Sequence, residues 1–139
     1  MSQEGLSDEE RETLRLIDLE ILASWLNIFS SLLLIDSGER SKREILSGED
    51  DNGGGWLGTP TEEAFDSILV SFVSTLLFAG VAFCRLDMIC ADILSGKSQR
   101  SLWPNLSISL GFIYSLIGQL LKYDGVLGRM EEQESITIL

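Results

Sequence analysis

Eighteen consecutive residues without a charge, 67–84 (SILVSFVSTLLFAGVAFC), constrain this chain more than any other feature. Wound as an α-helix, such a run reaches roughly 27 Å, close to the about 30 Å of a bilayer's hydrocarbon core. A buried strand would be far shorter, and a helix lying on a water-soluble core would show a polar face. Two further apolar runs flank it, 21–35 and 101–121. The expected fold is all-α: an integral membrane domain of three transmembrane helices.

The charges are segregated accordingly, mostly into ends and loops. Twenty-two acidic residues against ten basic ones leave a formal charge of −12 over 139 residues. That balance argues against nucleic acid as a partner, because phosphate contacts need Lys and Arg. The two cysteines, Cys84 and Cys90, fall six residues apart on one helix. Their Cα atoms would be separated by about 9 Å of rise, beyond the roughly 7 Å a disulfide tolerates. The first dozen residues are acidic, unlike a cleavable signal peptide, so the first helix itself is expected to direct insertion.

Taken in order, the chain reads as one domain. Ser7 and Glu10 form a capping box at the start of helix 1, expected over about 8–36. Asp8, Glu9 and Glu10 suit the positive end of that helix's dipole. Thr13, Glu20, Ser24, Asn27 and Ser31 recur at helical spacing, a polar stripe that in lipid should face protein or water. A connection over 37–59 follows, with a charged patch at 39–44 that includes Arg40, then an acidic, Gly-rich stretch. That stretch reads as flexible and solvated. Its acids are adjacent rather than alternate, so it does not read as a calcium loop.

Thr59, Pro60 and Glu62 open helix 2, expected over about 60–95, with Trp56 just before it for the headgroup zone. The helix outlasts the apolar run. Its last residues should project beyond the bilayer, leaving Arg85, Asp87 and Asp92 to water or a neighbouring subunit. Ser101 and Pro104 open helix 3, expected over about 102–123, and Lys122 and Tyr123 close it as a snorkelling and aromatic pair. An acidic tail, 124–139, completes the chain, and its end (Ser135 to Leu139) loosely fits a carboxylate-recognition pattern.

Small residues suggest how the helices join. Helix 2 carries Ser71, Thr75, Ala79 and Ala82, and helix 3 carries Ser107, Gly111, Ser115 and Gly118, at matching spacings of four, four and three. In lipid there is little hydrophobic force between helices, so close backbone approach must hold them. The two stripes predict a close antiparallel hairpin of helices 2 and 3.

Chemistry-bearing motifs are missing. The chain has no histidine, no Gly-rich phosphate loop, no CxxC pair and no nucleophile elbow, and no carboxylate pair stands out. The expectation is a non-enzymatic protein without cofactor or metal. It would reside in a bilayer, the cell membrane, and act through assembly with itself or another membrane protein. A cation-conducting oligomer is the alternative, on the strength of the Glu20 stripe and the acids at the span ends. A soluble helical adaptor is the second alternative. Five basic residues fall on each side of the membrane, so the charge rule does not orient the chain. The long acidic loop leans toward the N-terminus inside and the C-terminus outside.

Overall fold

The computed structural model describes residues 5–48 and 58–137, except the side chains of 133–137. It contains α1 (Asp8–Ser47), α2 (Pro60–Leu94) and α3 (Trp103–Thr137). All three are long and apolar enough to cross a membrane. The Gly-rich stretch with its acids, Trp56, and the final residues 138–139 lie outside the described residues, so the expectations placed on them do too.

The helix starts form as their residues dictate. Ser7 accepts from the Glu10 amide while the Glu10 carboxylate reaches back to the Ser7 amide at 2.8 Å. Thr59 and Glu62 repeat the arrangement at α2, with Pro60 in the first helical position. At α3 the Ser101 hydroxyl accepts from the Trp103 amide at 3.3 Å. In both boxes the hydrogen bonds from the cap residue, backbone first, hold the glutamate below its usual 4.5. A depressed carboxylate stabilises the folded helix start above the unfolded pKa, and that contribution is lost as pH falls through the folded value. Protection of the first-turn amides of α1 and α2, relative to their intrinsic exchange rates, should therefore fall as the pH drops below the ordinary carboxylate range. Unchanged protection there would contradict the capping geometry.

Two helices are longer than their apolar runs suggest. α1 does not stop near residue 36 but continues through Gly38 to Ser47, where Gly48 adopts a left-handed conformation (φ 68°) and caps it. α3 likewise passes through Gly125 and Gly128, which do not take positive φ, and reaches Thr137. Glycine costs a helix only about 1 kcal/mol, and good helix formers (Leu127, Arg129, Met130, Glu131) outweigh it here. The hydrophobic pattern marked where the apolar span ends, which is a different point from where the helix ends.

α2 is the central element. It packs against α1 on one side and α3 on another, while α1 and α3 make no contact among the described residues. The buried set is small and about half polar: Leu16, Ala23, Ser30, Leu33, Ser37 and Arg40 on α1, Pro60, Glu63, Ser67, Ser74, Ala79, Val81 and Ala82 on α2, and Ser109 on α3. Many large apolar side chains point outward instead, among them Trp25, Leu32, Ile35, Leu120 and Leu121. A water-soluble bundle would place these residues inside.

Candidate functional site

The α1–α2 seam is built on a seven-residue step. On α1, residues 16, 23, 30 and 37 are buried; on α2, residues 60, 67, 74 and 81. Each step up one helix is matched by a step down the other. Ser37 donates to the Pro60 carbonyl at 2.6 Å, and Ser74 donates to the Ala23 carbonyl at 2.7 Å. Between them, Ser30 and Ser67 each donate to the other's backbone carbonyl at 2.8 Å. A strict seven-residue repeat is the signature of a left-handed supercoil. Serine and alanine at that repeat let two backbones approach closely enough for hydroxyls to reach across to carbonyls.

Each end of the seam carries an arginine–glutamate pair, and the helices exchange roles between ends. Arg40 of α1 meets Glu63 of α2 at 3.1 Å, both side chains almost fully buried (2% and 0% exposed). At the other end Glu20 of α1 receives a two-pronged grip from Arg85 of α2, at 2.7 and 2.6 Å, about a third exposed. The fork geometry satisfies both carboxylate oxygens at once. Glu20 and Arg40 are separated by about 30 Å of helix rise, and Glu63 and Arg85 by about 33 Å. Two ion pairs thus bracket an apolar stretch as long as a hydrocarbon core is thick.

The polar stripe expected on helix 1 divides. Only Glu20 faces α2, and its partner is Arg85 rather than Arg15, which pairs with Glu12 at 3.2 Å. Thr13, Ser24, Asn27 and Ser31 are exposed. The hydroxyls of Thr13, Ser24 and Ser31 donate to the carbonyls of Glu9, Glu20 and Asn27 one turn back, at 2.8–2.9 Å. Asn27 differs: its carboxamide makes no hydrogen bond among the described residues, and it stands near the middle of the uncharged run 21–35.

The small stripes divide as well. Ala79 and Ala82 are buried, Thr75 is half-buried and donates to the Ser71 carbonyl, and Ser71 accepts from the Gln119 amide at 2.8 Å. The helix 3 half turns away: Ser107, Gly111 and Ser115 are exposed. A side chain built at Gly111 or Gly118 would meet nothing within 4 Å. Those glycines do not mark a close contact between α2 and α3.

Rings occupy that seam instead. Phe65 meets Tyr123 with centroids 5.3 Å apart, and Phe78 stacks on Phe112 at 5.8 Å. The α2–α3 contact is thus made by ring pairs of a kind that stabilises through shape and area rather than through close backbone approach. Tyr123, expected to face the headgroups beside Lys122, is turned onto α2.

Sequence reasoning missed Ser30, Ser37, Ser67 and Ser74, and it left Arg40 in a connection and Arg85 to water or a neighbouring subunit. The signal was present in the repeat Ala23, Ser30, Ser37 against Pro60, Ser67, Ser74. The small-residue stripes at spacings of four, four and three lie on other residues and so do not display it.

No cluster of three or more metal-ligating side chains occurs among the described residues. No protein-family model matches the chain, and neither do curated proteins or solved structures.

Proposed function

We propose that this is an integral membrane protein, probing no chemistry of its own, that works by assembling with further membrane helices through the outward face of α1. The antiparallel α1–α2 hairpin would stand across the bilayer between its two ion pairs, with α3 packed antiparallel against α2 as a third span. Asn27 carries the proposal. A carboxamide at the middle of a span has two donors and an acceptor to satisfy, and lipid supplies none. Among the described residues it has no partner, so an approaching helix is the natural source of one, and such bonds join membrane helices.

The cation-path alternative loses its main support, because the charge of Glu20 is matched by Arg85. Replacing Asn27 with Leu tests the assembly reading. The wild-type protein, reconstituted in lipid and cross-linked, should migrate as an oligomer or with a co-purifying membrane partner. Asn27→Leu should shift it toward the single chain by about threefold to tenfold, the range of about 0.6–1.5 kcal/mol for one interhelical polar contact. A wild-type protein that is already a lone chain, or a variant that assembles equally well, would overturn it.

A further inference from the structure

Because α1 and α3 stand apart on two sides of α2, a cleft of about 170 Å³ remains over the first turns of α2. Ser37 and Ser41 line it from α1, Thr61 and Ala64 from α2, and Val126 and Arg129 from α3. We propose that this three-helix cleft binds a phosphate group, that of an anionic phospholipid head, with Arg129 as its cationic contact.

The chemistry of the lining supports an anion. Arg129 is exposed and makes no ion pair among the described residues, and the Ser41 hydroxyl has no hydrogen-bond partner there either. Two of the acids beside the cleft on α2 are engaged: Glu62 closes the cap on Thr59, and Glu63 is held by Arg40. Arginine forks match phosphate oxygens, and the Ser41 hydroxyl can donate to an oxygen left over, whereas Ser37 is already spent on the Pro60 carbonyl. Ala64 and Val126 form an apolar side, suited to the glycerol and first methylenes of a lipid rather than to a fully hydrated ion.

The depth also fits. Arg129 lies seven residues past Lys122, the end of the uncharged run, or about 10 Å of helix rise. The headgroup layer extends roughly 5–8 Å beyond the hydrocarbon on each side, within reach of a guanidinium on a flexible stem. This proposal rests on the membrane reading above, and its failure can be told apart from the failure of that reading.

The test is native mass spectrometry of the full chain released from nanodiscs that contain phosphatidylcholine and phosphatidylglycerol. The wild type should retain phosphatidylglycerol in preference to phosphatidylcholine. Arg129→Gln should reduce that retention about fivefold, the scale of one basic side chain at an anionic surface. Ser41→Ala should reduce it less, and Lys97→Gln, at the opposite end of the bundle, should leave it unchanged. Unaltered helical circular dichroism confirms that each variant is folded.

Equal retention of both lipids by the wild type, or unchanged retention by Arg129→Gln, would overturn the site. Inorganic phosphate that binds the detergent-solubilised chain through Arg129, without lipid preference in nanodiscs, would overturn the lipid source. A chain that does not enter nanodiscs at all would instead overturn the membrane reading.

Discussion

Replacing Arg40 with Met while Glu63 stays in place should destabilise the α1–α2 hairpin by about 3–5 kcal/mol. The pair is almost fully buried at 3.1 Å, so removing the guanidinium takes away the opposite charge that compensates the buried carboxylate. The cost arises from that orphaned charge more than from the lost attraction. A buried ion pair and a well-packed apolar pair of similar volume often differ little in stability. Arg40→Met combined with Glu63→Leu should therefore recover most of what the single change loses. Unfolding of the lipid-reconstituted or micelle-bound chain by titrated dodecyl sulfate, followed by helical circular dichroism, reads both. A single variant as stable as the wild type would contradict the burial of this pair. A double variant as weak as the single one would show that the pair contributes more than charge compensation.

The second large effect is expected at the serine seam. Ser67→Leu introduces three carbons where two backbones approach closely, and it removes the hydroxyl that donates to Ser30. Overpacking a tight contact costs about 1–3 kcal/mol, and each lost interhelical bond in a membrane adds about 0.6 kcal/mol. The α1–α2 hairpin should open or splay, reducing cross-linking between cysteines placed at its two faces. Gly111→Leu, by contrast, should leave stability near the wild type, since that position opens onto free space. Gly111→Leu that disrupts the fold while Ser67→Leu does not would restore the glycine stripe as the helix 2–helix 3 contact and remove the serine seam as the organising one.

The contrast between these two positions shows how much of the molecule was legible beforehand. Helix number and the capping at Ser7 and Thr59 follow from local chemistry, and a single sequence displays it. The apolar runs follow from a bilayer-length criterion that needs no tertiary information. Helix ends were less legible. A charge run such as 39–44 looks like a loop when the same residues, wound on α1, put Arg40 inward and Glu39, Lys42 and Arg43 outward.

Pairing was the least legible of all. α2 carries small residues on more than one face, and the sequence does not say which face meets which neighbour. The choice depends on the register of two helices together: Ser67 is an unremarkable hydroxyl until Ser30 stands opposite it. Glu20 was recognisable as a residue that must avoid lipid, but its partner, sixty-five positions away, was not.

The central claim is that the apolar outer surface of this bundle faces lipid. The most direct measurement uses single cysteines in a Cys84→Ser, Cys90→Ser background, labelled in intact membranes with a water-soluble maleimide. Leu76 lies in the middle of the α2 run with its side chain 45% exposed from the protein, and Ser47 is exposed at the end of α1. Leu76→Cys should stay unlabelled until detergent or denaturant removes the lipid, whereas Ser47→Cys should label from one side of the membrane at once. Equal labelling of both positions without detergent would mean that water reaches the outer face of α2, and the membrane-spanning account would fall.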